Sequence, residues 1–166
     1  MILVTGAAGF IGSCLATELG EGVVCSDPRD ESMLSPEEAV RYVQLQDNIE
    51  TVYHLGAISS TTETNMLALA QNNVEYSLRL LYLCLGKKIP FVYASSASVY
   101  GAAAGVQRED QPLAPINGYA ISKASFDMFV EQIISLLPDT QIYGLRYFNV
   151  YGHREHHKKD LSLIHI

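Results

Sequence analysis

The chain alternates between short apolar runs and longer stretches whose apolar residues recur three and four positions apart. The runs lie at 2–4, 22–26, 51–55, 89–94 and 141–147. Runs this short and this continuous predict strands buried on both faces, as in a parallel sheet. Between them the spacing predicts helices over Phe10–Leu19, from Pro36, over about 63–85 and over about 118–137. The second helix starts cleanly, with Ser35 as N-cap, Pro36 at the first helical position and Glu38 closing a capping box. In the third, Leu67, Ala70, Val74, Leu78, Leu81 and Leu85 form the apolar stripe, and Ser60 with Glu63 fits a capping box at its start. Asn117 precedes the fourth helix, which Pro138 stops. Strands alternating with helices imply a parallel sheet covered on both faces, with ligands at the carboxyl ends of its strands. The unusual sequences fall at those ends: 6–12, Asp27, 55–59, 95–98 and 148–151.

At the first strand-to-helix junction Gly6, Gly9 and Gly12 are spaced G-x-x-G-x-x-G, and Phe10 opens the helix. Gly6 allows a tight turn off the strand. Gly9 removes a Cβ where a pyrophosphate would approach the backbone, and Gly12 lets the helix pack closely on the sheet. The helix N-terminus offers unpaired N–H groups and a partial positive charge to phosphates. Asp27 follows Gly6 by 21 residues, at the end of the next strand, where an acidic side chain would meet a ribose hydroxyl. The glycine spacing alone also fits an ordinary turn. With the strand, the helix and the acid it predicts dinucleotide binding by an α/β, Rossmann-like, doubly wound parallel sheet with helices on both faces.

Composition narrows the partners. A chain of 166 residues, 48% apolar and 17% charged, describes one globular domain with a full core. A net charge of −7 argues against nucleic acid or an anionic membrane as the main partner. No apolar run reaches the roughly 18 residues that span a bilayer, and no basic leader precedes the first strand, so a cytoplasmic location is expected. Cys14, Cys25 and Cys84 are odd in number and lie in apolar patterns, which predicts buried free thiols. His153, His156 and His157 lack the spacing of a metal site, and no metal is expected.

The chemistry concentrates later. Tyr119 and Lys123, four residues apart, share one helical face. A free phenol, with a pKa of about 10, is a poor base at neutral pH, and a nearby ammonium favours the phenolate. Ser96, at the end of the preceding strand, would hydrogen-bond the same substrate oxygen. Such a Tyr–Lys pair is common by chance. Its weight comes from lying after a strand-end serine cluster in a chain with a nucleotide turn. His54 and Tyr100 are expected to pack.

Thr5-Gly6-Ala7-Ala8-Gly9-Phe10-Ile11-Gly12, the stretch from Tyr93 to Gly101, and Tyr119 with Lys123 resemble the extended short-chain dehydrogenase/reductases acting on nucleotide sugars. The stretches 54–63 and 145–158 narrow the resemblance to the ADP-glycero-manno-heptose 6-epimerases, which serve lipopolysaccharide core-heptose synthesis. The resemblance implies an ADP-heptose substrate and epimerisation at C6″ by transient oxidation and re-reduction with a bound nicotinamide. It implies Tyr119 and Lys158 as the two acid/bases, Lys123 at the nicotinamide ribose and Ser96 at the reacting oxygen. Phe10, Ile11, Asp27, Leu55, Gly56, Ala57, Ile58, Ser59, Asn72 and Val150 match cofactor contacts, and Asn149 matches a substrate contact. The cofactor implied is NADP, with NAD as the alternative: Asp27 suits a free ribose hydroxyl, whereas Arg29 suits a 2′-phosphate. The intact protein is expected to be a homo-oligomer. Rival readings are a 4-epimerase or 4,6-dehydratase of nucleotide sugars, or a non-catalytic dinucleotide-binding module.

The sequence departs from that pattern twice. Only seven residues separate Asp27 from Ser35, with no third strand or basic linker between them. The C-terminal substrate domain is also missing. Residues 1–159 read as the dinucleotide-binding domain, and 160–166 as a non-native tail resembling translated adapter sequence. The chain alone is therefore expected to be inactive.

Overall fold

The computed structural model describes residues 1–152. Strand β1 (Ile2–Thr5) is followed by helix α1 (Phe10–Leu19), β2 (Val23–Ser26), α2 (Pro36–Leu45) and β3 (Thr51–His54). Helix α3 (Met66–Leu69) continues through a π segment (Ala70–Glu75) into α4 (Tyr76–Lys87). Then come β4 (Phe91–Ser96), a 3₁₀ turn (Ala97–Tyr100), α5 (Gly118–Leu136) and β5 (Ile142–Tyr147). The strands form one parallel sheet of order β2-β1-β3-β4-β5. The chain steps one way from β1 to β2 and the other way from β2 to β3. Right-handed crossovers then put α1 on one face and α2, α4 and α5 on the other, with a switch point between β1 and β3.

One face carries the main core. Leu3, Val52, Phe91 and Ile142 are register partners across four strands and pack beneath Val43 of α2, Leu80, Leu81 and Cys84 of α4, and Phe126 and Val130 of α5. The other face is unevenly covered. Helix α1 lies over β1 and β2. Beyond it, Tyr143 and Leu145 of β5 stand 56% and 42% exposed beside their β4 partners Val92 and Ala94.

Two local signals hold. The Ser35–Glu38 capping box forms, with both reciprocal hydrogen bonds. Asn117 caps α5 by accepting from the Ala120 N–H at 2.8 Å. Several expectations are corrected. Helix α3 begins at Met66, capped by Asn65, and the Ser60–Glu63 box does not form: Glu63 Oε1 accepts from the Asn65 N–H instead. The buried stripe of that long helix is Leu69, Asn73, Ser77, Leu80, Leu81 and Cys84, while Leu67 is exposed. The wider π turn rotates the residues that follow it, so an α-helical period cannot be carried across it. Finally, Cys14 is exposed, Cys25 half-buried and Cys84 buried, all three free. Helix α1 buries fully only Gly12, so its solvent face is wider than the pattern implied.

Where a further strand was looked for and not found, the structure has a one-residue substitute. Leu34 bridges Ser26, its N–H bonding the Cys25 carbonyl while its carbonyl accepts from Asp27. The outer edge of β2 is thereby closed by a single residue.

Candidate functional site

The site lies at the carboxyl ends of β1, β3 and β4. Gly6 takes a positive φ of 69°, and a Cβ there would lie 2.7 Å from the Leu55–Gly56 backbone, so the turn is pressed onto the end of β3. A Cβ on Gly12 would overlap the Gly6 carbonyl oxygen. Gly12 therefore packs α1 against the turn itself rather than against the sheet. Gly9 is the N-cap of α1 and offers no side chain to its first amides. A turn with no side chain at Gly6 or Gly9, leading into a helix without a side-chain cap, fits a pyrophosphate.

Asp27 ends β2 and is buried. Its Oδ2 accepts from the Ala8 N–H at 3.0 Å, tying β2 to the glycine turn. The other bonds of its carboxylate go to Arg29: the backbone N–H at 3.0 Å, and the guanidinium through Nε at 2.8 Å and Nη2 at 2.7 Å. Those bonds hold the Asp27 carboxyl below its usual range. The Arg29 guanidinium remains largely exposed and lies over the glycine turn, 3.3 Å from where a Gly9 Cβ would be.

Behind β3, a chain of buried hydrogen bonds joins the turn to α5. The Gly56 N–H donates to Thr5 Oγ1, which shares a 2.7 Å bond with His54 Nδ1; His54 Nε2 meets Ser77 Oγ at 2.8 Å. Ser77 donates to the Asn73 carbonyl. Asn73 then clasps residue 58 by both ends of its amide, accepting from the N–H and donating to the carbonyl, and also donates to Ser122 Oγ. Leu55, Gly56, Ala57, Ile58 and Ser59 are thus a fastened strip running over the switch point.

Burial lowers His54 from 6.5 to about 3. A folded-state value below the unfolded one gives stability that is complete above about pH 6.5 and is lost as pH falls toward 3. At about pH 5 the loss from this group is roughly 2 kcal/mol. Urea unfolding of wild type and His54→Gln is expected to show a shallower acid slope in the variant. Parallel slopes would show that the ring is not held neutral.

Ser96 closes β4, and Tyr119 and Lys123 follow on the first turns of α5. Burial raises the Tyr119 phenol above its ordinary value, and the nearby Ser96 hydroxyl opposes the rise. The direction is opposite to that expected from a neighbouring lysine. The reason is geometric: Lys123 is buried and turns its ammonium inward to the Ala94 carbonyl at 2.8 Å. Burial in turn draws Lys123 down to about 8.

Other candidates lie apart from this group or outside the described residues. Asn72 is exposed and bonds the Ala68 carbonyl, one position from the buried Asn73. Asn149 is exposed and Val150 half-buried in the segment after β5. That segment returns over the glycine turn, so that a Cβ on Gly152 would stand 3.6 Å from the Phe10 ring. Lys158 and the three histidines from 153 to 157 lie outside the described residues. Among the described residues no cluster could hold a metal ion, and no helix is long and apolar enough to cross a membrane. The sequence reading missed Asn73, Ser77, Ser122, Asp127 and Arg146. Asn73 carried a usable signal, since asparagine is disfavoured inside a helix unless its amide has other work.

The sequence pattern of the NAD dependent epimerase/dehydratase family matches residues 2–165. An ADP-L-glycero-D-manno-heptose-6-epimerase of Alkalilimnicola ehrlichii is 40% identical over 186 aligned positions, covering 99% of this chain and 58% of the relative. The aligned span exceeds the chain's own length, so the relative carries residues within it that are absent here. The crystal structure of Helicobacter pylori ADP-L-glycero-D-manno-heptose-6-epimerase superposes with a TM-score of 0.83 at 31% identity, covering 97% of this chain and 59% of that one. UDP-glucuronic acid 4-epimerase from Bacillus cereus, in complex with NAD, gives 0.73 at 29% identity, covering 91% and 57%. The chain thus spans somewhat more than half the length of these relatives.

Proposed function

Because the chain belongs to the NAD dependent epimerase/dehydratase family, we propose that it is the dinucleotide-binding part of an enzyme that epimerises ADP-glycero-manno-heptose at C6″, in lipopolysaccharide core-heptose synthesis. The observation carrying this reading is the convergence, at one sheet edge, of the bare glycine turn, Asp27 and the Ser96–Tyr119–Lys123 group. The turn at 6–12 would take the pyrophosphate, the fastened strip at 55–59 would line the central part of the site, and Lys123 would reach the nicotinamide ribose. When bound, the nicotinamide supplies hydride removal and return at the sugar carbon. Tyr119 handles the hydroxyl proton on one face of that carbon and Lys158 on the other, since inverting a secondary alcohol needs proton transfer on both faces. Ser96, beside Tyr119, orients the reacting oxygen. Most of the sugar pocket would come from the part present in the longer relatives, so this chain alone does not turn over. The site is read as soluble and cytoplasmic, in a homo-oligomeric whole.

The cofactor is read as NADP. Asp27 is paired with a guanidinium, so an incoming 2′-phosphate meets Arg29 rather than a free carboxylate. Arg29→Ala is expected to weaken NADP binding about 10- to 100-fold, from the loss of one or two charge-assisted hydrogen bonds, with NAD changing much less. Calorimetric titration with each dinucleotide checks this. Equal losses for both would move the preference to NAD.

A further inference from the structure

Strand β4 and helix α5 meet residue by residue. Lys123 donates to the carbonyl of Ala94 at 2.8 Å, and Asp127 accepts from the hydroxyl of Ser95 at 2.8 Å. Two consecutive strand residues are thus held by two side chains on one face of the helix. Asp127, one turn beyond Lys123, is buried and fully engaged: it also accepts from the Tyr93 hydroxyl at 2.9 Å and from Arg146 Nε of β5 at 3.0 Å. Room for the Tyr93 ring comes from its register partner Gly144, where any Cβ would overlap the phenol. Arg146 is anchored in turn by the Glu109 carbonyl at 3.0 Å and by lying 5.2 Å over the Tyr100 ring.

This leaves Lys123 with a carbonyl as its hydrogen-bond partner and a carboxylate one turn away. Among the described residues, the charged and titratable groups on the elements packed about it include His54, held neutral on β3; Tyr93 on β4; Tyr119 and Asp127 on its own helix; and Arg146 on β5. Among these, Asp127 is the negative charge. We propose that Asp127 is a positioning residue for the Tyr119–Lys123 pair: clamped by Tyr93, Ser95 and Arg146, it supplies the counter-charge that keeps the buried Lys123 ammonium protonated and seats it on Ala94. Burial favours the neutral amine of Lys123, and Asp127 opposes that effect. The proposal rests on the reading of Tyr119 as a proton-handling group with Lys123 beside it at the nicotinamide ribose.

The test is an NMR titration of the whole chain carrying 13Cε-labelled lysine. The chain has five lysines, at 87, 88, 123, 158 and 159, and Lys123→Arg identifies the signal by its loss. In Asp127→Asn the Lys123 midpoint is expected to fall by about one pH unit or more, and Asp127→Glu is expected to recover part of it. An unchanged midpoint in a variant whose circular dichroism matches wild type overturns the proposal. Arg146→Gln covers the case in which Asp127→Asn does not fold. It leaves the carboxylate uncompensated and is expected to raise the Lys123 midpoint, and no change there overturns the proposal equally. The titration reads the lysine proton directly, so it stands or fails independently of any turnover assay on Tyr119.

Discussion

Tyr119→Phe, made in this chain joined to the remaining C-terminal portion of a longer relative, is expected to lower epimerisation of ADP-glycero-manno-heptose about 10²- to 10⁴-fold, the usual range for removing a general acid/base. Dinucleotide binding should be largely retained. The substitution deletes one hydroxyl and keeps the ring, so the packing of the first turn of α5 and its Asn117 cap survive. What is lost is the hydroxyl that lies near Ser96 at the end of β4. The measurement is turnover of each epimer by the joined protein with and without the substitution. Unaltered turnover would mean that Tyr119 only packs, and the proton chemistry would have to be sought elsewhere.

Gly12→Val is the second large effect. Its Cβ would overlap the Gly6 carbonyl oxygen, and that oxygen cannot retreat, because Gly6 is in the left-handed region with the Leu55–Gly56 backbone behind it. Relief therefore requires moving β1, α1 or the end of β3. A loss of about 3 kcal/mol or more in folding stability is expected, together with loss of dinucleotide binding. Gly86 is the internal control. It sits in α4 with nothing near its would-be Cβ, so Gly86→Ala is expected to gain about 0.5–1 kcal/mol. Urea unfolding of both variants checks the pair. A Gly12→Val chain as stable as wild type would show that the turn is looser than described.

The contrast between those two glycines shows what the sequence could and could not reveal. Features confined to a few neighbouring residues were legible: the strand, turn and helix from Ile2 to Leu19, the Ser35–Glu38 box and the order of alternating elements. Their physics is local, in caps, turn conformations and hydrophobic period. Features made by distant residues were not. The clasp of Asn73 on residue 58 and Ser122, and the meeting of Asp127 with Arg146, depend on which strands become neighbours. The Lys123 ammonium also illustrates this. Its spacing from Tyr119 suggested a direct influence on the phenol, yet the side chain is drawn down to the Ala94 carbonyl, which no helical period could indicate. The π segment hid the true buried face of α4 for a related reason, since it resets the period that the reading depends on.

The exposed β5 residues Tyr143 and Leu145 fit the same picture. A parallel sheet is normally covered on both faces, and this half of one face has no helix over it among the described residues. The relatives carry substantially more chain than is present here.

The most direct test of the central claim is calorimetric titration of the purified chain with NADP and NAD, alongside an epimerisation assay on the same sample. Saturable binding with one dinucleotide per chain, abolished by Gly12→Val, and no turnover are expected. A folded chain that binds neither dinucleotide, or whose binding is indifferent to Gly12→Val, would contradict it.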